Sequence, residues 1–114
     1  MSSKKVLFVC TANMDRSPKA EEIASEIKGI EAKSAGIRKS LRNDAQVVNS
    51  DLIEWGDEIL AMEEKHRKFI LENFPVDEEK IGVLGVSNKY SKEDPKLEKI
   101  LKERVESALI DFSG

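Results

Sequence analysis

The chain has 114 residues, enough for one domain, and its formal net charge is −3. Hydrophobic residues make up 39% and charged residues 36% of it, which is typical of a folded globular protein and unlike a disordered one. Because nucleic acids and acidic membranes are held by surplus Lys and Arg, we expect a single domain over residues 1–114 that binds neither nucleic acid nor membrane.

The first predicted elements are a strand, a helix and a second strand. Residues 6–9 are apolar without alternation, as in a central parallel strand that is covered on both faces. Over residues 18–28, apolar side chains recur at helical spacing, Pro18 stands in the first turn and Gly29 follows as a stop signal. Residues 30–35 then form a second short strand, which completes the pattern of a βαβ unit.

Two short helices are expected after this unit. One is capped by Asn43 or Asp44 and runs to residue 48, and the other is capped by Ser50 and lies around residues 52–55. The side chains of Asn, Asp and Ser accept hydrogen bonds from the exposed N–H groups of a first helical turn, which is why they are interpreted as caps here.

The second half of the chain continues the alternation. Strands are predicted over residues 58–62 and 81–86, with a helix over residues 63–74 between them that Pro75 ends. Apolar residues at helical spacing predict a long closing helix over residues 97–109. With right-handed crossovers, these elements give an α/β fold in three layers, a four-stranded parallel sheet flanked by helices.

The segment between the first strand and the first helix predicts reactivity. Cys10 is the only cysteine of the chain, and five residues separate it from Arg16. A strand that ends in a tight loop and leads into a helix gathers unpaired backbone N–H groups, which bind anions such as phosphate. The positive electrostatic potential of these N–H groups also favours the thiolate of Cys10, while the planar guanidinium of Arg16 can hold phosphate oxygens. A single cysteine forms no intramolecular disulfide, so we expect the reducing cytoplasm as its location.

The sequence VCTANMDRSPKAE at residues 9–21 resembles the signature loop of the low molecular weight protein tyrosine phosphatases, most closely of their short prokaryotic members. Residues 34–36 and 57–62 resemble the second and third strands of that family. The resemblance implies a flavodoxin-like fold and hydrolysis of phosphotyrosine or aryl phosphate monoesters through a phosphocysteine, with no cofactor and no metal. It implies Cys10 as nucleophile, Arg16 as phosphoryl ligand, Ser34 as a supporting residue, and a phosphate-binding loop made of Thr11, Ala12, Asn13, Met14, Asp15, Arg16 and Ser17.

The chain departs from the family pattern, most seriously at the general acid. Ala12 stands where the family often has Gly, and Asp15 where many members have a second cysteine. Asn88 aligns with the acid of the short members, and an amide has no titratable proton to donate. Asp94, followed by Pro95, resembles the acid of the longer members and equally suits a helix cap, so the sequence leaves open whether Asp94 or no residue is the acid. A catalytically weak phosphate- or phosphotyrosine-binding module of the same fold is the alternative function.

Two further features lie outside this loop. The basic residues within residues 37–42 form either an ordinary solvated loop or a patch that attracts an anionic substrate. His66 shares helical spacing with Phe69 and Ile70, which predicts a helix-surface or partly packed side chain with no metal role. The expected ligands are a phosphorylated protein or a small aryl phosphate, with inorganic phosphate or sulfate in the loop.

Overall fold

The computed structural model describes residues 4–11, 16–38, 46–87, 89–91 and 93–113. Four strands form one parallel sheet in the order β2-β1-β3-β4: β1 (Lys4–Cys10), β2 (Ile30–Gly36), β3 (Glu58–Ala61) and β4 (Ile81–Val83). The described residues form these α-helices: α1 (Arg16–Ser25), α2 (Ser50–Trp55), α3 (Glu64–Asn73) and α4 (Pro95–Ser113). A single 3₁₀ turn over Glu78–Lys80 precedes β4. The predicted α/β fold with a four-stranded parallel sheet is therefore confirmed.

The sheet is covered on both faces, which explains the apolar run in β1. Because side chains of a strand alternate between faces, Val6 and Phe8 pack with residues of α1 and α4, whereas Leu7 and Val9 pack with residues of α2 and α3. All four of these side chains are fully buried. The sheet therefore has a hydrophobic core on each face, and the fold has three layers. No helix in the described part of the chain is long and apolar enough to cross a membrane.

The region before α2 differs from the prediction. Residues 46–49 are not helical, so the helix expected to run to residue 48 is wrong there, while Asn43 and Asp44 lie outside the described residues. The backbone of this segment instead pairs with the end of β2, because Gly36 N–H donates to the Gln46 carbonyl at 2.8 Å and Val48 N–H to the Gly36 carbonyl at 2.8 Å. Hydrogen bonding to an edge strand outweighs the local capping signals.

The cap of α2 is displaced by one residue from the prediction. Asn49, with an extended backbone, is the N-cap, and its side-chain oxygen accepts a hydrogen bond from Leu52 N–H at 2.9 Å. Ser50 is the first helical residue and not the cap. The cap oxygen must face the amide three positions ahead of it, and Asn49 meets this requirement for the helix that forms.

The chain after β4 continues alongside β3 without strand geometry. Leu84 N–H donates to the Ala61 carbonyl and Val86 N–H to the Met62 carbonyl, each at 2.8 Å. Between them Gly85 has a φ of 74°, a conformation that L side chains rarely adopt. Arg104 of α4 donates through Nη1 to the Leu84 carbonyl at 2.6 Å. These contacts fix the backbone of residues 84–86, which reaches the candidate active site.

Candidate active site

The site lies at the carboxyl end of β1, where this strand is flanked by β2 and β3. Cys10 is the last residue of β1 and Arg16 the first of α1, so the predicted loop joins these two elements. Its start is held by the chain after β2, because Ile37 N–H donates to the Cys10 carbonyl at 3.0 Å and Arg38 N–H to the Thr11 carbonyl at 3.1 Å. Thr11, Arg16 and Ser17 are described, whereas Ala12, Asn13, Met14 and Asp15 lie outside the described residues.

The sulfur of Cys10 contacts the hydroxyl of Ser17. Their Sγ and Oγ atoms are 3.0 Å apart, and the Ser17 hydroxyl is also within donating distance of the Ala35 carbonyl, at 3.3 Å. A thiol can donate to Ser17 while Ser17 donates to Ala35, but a thiolate only accepts, so ionisation turns the Ser17 hydrogen toward sulfur. Cys10 is buried, with only 3% of its surface exposed.

The guanidinium of Arg16 is held in a fixed orientation although it is nearly buried, with 4% exposure. Nη1 donates to the Val86 carbonyl at 2.7 Å and to a Glu63 carboxylate oxygen at 2.5 Å, which uses both of its hydrogens. Nη2 makes a longer contact of 3.4 Å to the Thr11 hydroxyl. Among the described residues, Nε–H and the second Nη2 hydrogen have no partner, so this edge of the guanidinium can bind an anion in bidentate fashion.

Glu63 offsets the charge of this buried arginine. The hydrogen bond from Arg16 and its positive charge lower the pKa of the Glu63 carboxyl against the opposing effect of burial, and Lys65, with Nζ 3.9 Å from the same carboxylate, acts in the same direction as Arg16. Glu63 thus stays ionised and keeps Arg16 in place before any anion binds. Glu63 is also the N-cap residue of α3, which begins just beyond the end of β3.

His66 is a site residue that the sequence prediction placed wrongly. Its side chain is fully buried, not on the helix surface or partly packed, and both ring nitrogens have partners. Nδ1 accepts a hydrogen bond from Glu63 N–H at 3.0 Å, and Nε2 lies 2.9 Å from the Thr11 hydroxyl. Burial, together with the Arg16 charge, lowers the pKa of His66 to about 4, so the ring is neutral near pH 7.

Glu63 and His66 were missed because no local pattern marks them. A usable signal existed, however: Glu63 and His66 lie in the turn and the first helical residues that follow β3, the neighbour of β1, so they stand at the same sheet edge as Cys10. Parallel strands present ligand-binding residues at this edge, and the rule that selected Cys10 also applies to them.

Ser34 and Asp94 occupy defined places. Ser34 is buried and its hydroxyl donates to the Glu21 carboxylate of α1 at 2.6 Å. Asp94 caps α4, because its side-chain oxygen accepts from Lys96 N–H at 2.9 Å and its carbonyl from Leu97 N–H at 3.0 Å. Asn88, the alternative acid position, lies outside the described residues.

Within the described part of the chain, no group of three or more His, Cys, Asp or Glu side chains could hold a metal ion.

Known proteins share this sequence pattern and this architecture. The family model of the low molecular weight phosphotyrosine protein phosphatases matches residues 5–50. A protein-arginine-phosphatase of Geobacillus stearothermophilus is 30% identical, with 70% of this chain and 68% of that protein covered. The low molecular weight protein tyrosine phosphatase of T. tengcongensis has a TM-score of 0.74 at 26% identity, over 96% of this chain and 99% of its own. A mutant of YwlE from Bacillus subtilis has a TM-score of 0.78 over 98% of this chain and 100% of its own, and at 23% identity this likeness concerns the fold.

Proposed function

The chain belongs to the low molecular weight phosphotyrosine protein phosphatase family, with its flavodoxin-like fold, and we propose that it hydrolyses phosphotyrosine or aryl phosphate monoesters with Cys10 as nucleophile. The observation that carries this proposal is the pairing of the Cys10 sulfur with the Ser17 hydroxyl at 3.0 Å, beside an arginine whose anion-binding edge is unoccupied by the described residues. The chain is a phosphatase by family, and the residue roles and the substrate are what we propose.

The first chemical step forms a phosphocysteine. The Cys10 thiolate attacks phosphorus, the bond from phosphorus to the aryl oxygen breaks, and the aryl oxygen leaves with a proton from an acid or from water. Arg16 and the loop amides stabilise the charge that develops on the equatorial oxygens. Water then attacks phosphorus, inorganic phosphate leaves, and the thiolate returns to its hydrogen bond with Ser17. A Cys-to-Ser variant of the YwlE arginine phosphatase carries a phosphorylated active-site serine, which supports a covalent step here.

Asp94 is the proposed general acid, with catalysis without an acid as the alternative that the sequence also allows. The carboxylate oxygen bonded to Lys96 N–H caps α4, so proton transfer would use the other oxygen of the same group. Without an acid, aryl phosphates remain the favoured substrates, because a phenolate is a tolerable leaving group when its parent phenol has a pKa of about 10.

Phosphoarginine is a second candidate substrate. The relative that is 30% identical to this chain is named a protein-arginine-phosphatase. The T. tengcongensis relative, at 26% identity, is named a tyrosine phosphatase. We therefore propose assays with an aryl phosphate, a phosphotyrosine peptide and a phosphoarginine peptide under the same conditions. If phosphate is released faster from the phosphoarginine peptide than from the two aryl phosphates, phosphoarginine is the preferred substrate.

The nucleophile is tested by replacing Cys10 with Ser, which should abolish turnover of an aryl phosphate while phosphate binding persists. Arg16→Lys is a matched variant, because it keeps the charge and loses the planar fork; it should weaken phosphate binding and slow turnover together. Alkylation of Cys10 by iodoacetate at neutral pH should be fast and inhibited by phosphate. Equal turnover by wild type and Cys10→Ser would refute the role of Cys10, and phosphate binding without any turnover in wild type would favour the binding module. Because a nucleophilic thiolate must stay reduced, this role of Cys10 also supports a location in the reducing cytoplasm.

A further inference from the structure

We propose that the Thr11 hydroxyl donates a hydrogen bond to the phosphoryl group bound at Arg16, and that His66 is the positioning residue that fixes the direction of this hydroxyl. The proposal rests on the proposed function, because it places an anion at the open edge of Arg16. It gives roles to a buried imidazole and to a hydroxyl for which the phosphocysteine chemistry has no use.

The tautomer of His66 follows from its partners. A backbone N–H can only donate, so Nδ1 must present its lone pair to Glu63 N–H, 3.0 Å away. A neutral imidazole carries one proton, which is then on Nε2. Nε2–H therefore donates to the Thr11 hydroxyl oxygen at 2.9 Å. Full burial of the ring prevents it from rotating to exchange these partners.

The Thr11 hydroxyl is consequently left with one hydrogen to donate. Its oxygen accepts from His66 and, over 3.4 Å, from Nη2 of Arg16, which occupies both lone pairs. Its own hydrogen must point away from both donors. No acceptor for it is present among the described residues, and the oxygen lies beside the Arg16 edge where an anion would bind. A phosphoryl oxygen held by Nη2 is thus the natural acceptor of the Thr11 hydrogen.

Burial and the charged groups around His66 together maintain this arrangement. Burial is the main effect that disfavours a second proton on the ring; the charges of Arg16 and Lys65 disfavour it further, and the charge of Glu63 favours it. A doubly protonated ring would present N–H at Nδ1 to Glu63 N–H and lose that hydrogen bond. The neutral ring thus keeps the donor role of Nε2 over the pH range in which phosphatases are assayed.

Two pairs of variants separate positioning from simple packing. Thr11→Val removes the hydroxyl at nearly constant shape, and Thr11→Ser retains it. His66→Asn retains an acceptor near the Nδ1 position for Glu63 N–H but is too short to reach Thr11. His66→Gln places its amide near the Nε2 position and can still donate to Thr11. Circular dichroism melting curves establish that each variant is folded before its binding is compared.

The readouts are the affinity for inorganic phosphate, by NMR titration, and kcat and KM for an aryl phosphate. We expect Thr11→Val and His66→Asn each to weaken phosphate binding by about tenfold to a hundredfold, as for a lost hydrogen bond to a charged group, while Thr11→Ser and His66→Gln stay within a few-fold of wild type. The double variant Thr11→Val/His66→Asn should be no weaker than Thr11→Val alone, because both changes remove the same hydrogen bond.

The outcomes distinguish this inference from the proposed function. If wild type hydrolyses aryl phosphates and folded Thr11→Val binds phosphate as tightly as wild type, the donor role is refuted and the phosphatase stands. If the effects of Thr11→Val and His66→Asn are additive, His66 acts through packing and its positioning role is refuted. If wild type shows no turnover but phosphate affinity follows the expected pattern, the inference stands and the proposed catalysis fails.

Discussion

Acidification should destabilise the folded chain through His66. In the folded state burial holds the pKa of His66 at about 4, against 6.5 for an unperturbed His. Between these two values the unfolded chain binds more protons, so stability is lost as the pH falls. Each unit of pKa difference that is crossed is worth about 1.4 kcal/mol, so lowering the pH from about 7 to about 5 should reduce the free energy of unfolding by about 2 kcal/mol on account of this residue alone.

His66→Gln is the matched control, because its amide can replace the Nε2 donor and does not titrate. Urea denaturation of both proteins at the two pH values gives the stability difference between them, from which titration of all other groups cancels. That difference should move by about 2 kcal/mol in favour of the Gln variant at the lower pH. A difference that is the same at both pH values would mean that the imidazole is solvated in the folded chain, and the assignment of His66 to a buried site network would be wrong.

Three further predictions concern other contacts of the site. Asp94→Asn keeps a capping oxygen for α4 and removes the acid, so it should preserve stability and flatten the basic limb of the pH–rate profile if Asp94 is the acid, whereas Asp94→Ala should also cost about 1 kcal/mol of stability in thermal unfolding. Arg104→Met removes the hydrogen bond to the Leu84 carbonyl and should lower stability by about 1 kcal/mol, a loss that the exposed substitution Lys102→Met should not reproduce in the same assay. Glu63→Gln retains an acceptor for Arg16 and removes its negative charge, so phosphate should bind a few-fold more tightly in calorimetry; weaker binding would show that the charge of Glu63 is needed to orient Arg16.

The first strand and the position of the loop that joins it to α1 could be predicted because their signals are local. The apolar run over residues 6–9 predicts a strand buried on both faces, and the spacing of Cys10 and Arg16 depends only on one turn between a strand and a helix. Both signals can be read from a short stretch of sequence, although the residues that these side chains contact lie far along the chain. The expected helix to residue 48 failed for the opposite reason, since Gly36 supplies the hydrogen bonds that decide its backbone.

The remainder of the site could not be predicted from local signals because its contacts join distant parts of the chain. Thr11 and His66 are separated by 55 positions, and Arg16 and Glu63 by 47. In the sequence, His66 stands at helical spacing with apolar neighbours, and this pattern does not distinguish a histidine of the active site from one that only packs against other side chains. Only the pairing of β3 with β1 brings these side chains together, and strand order is a property of the whole sheet.

The hydrogen bond from Arg16 to the Val86 carbonyl spans 70 positions of the chain. An N-terminal fragment that contains the entire loop at residues 10–17 would lack the Val86 carbonyl that orients Arg16. Such a fragment should therefore show no phosphatase activity. During synthesis the hydrogen bond from Arg16 to Val86 forms only after the residues beyond β4 have reached their place beside β3. If phosphate binds at Arg16 as proposed, it should protect the native chain against proteolysis by favouring the folded state.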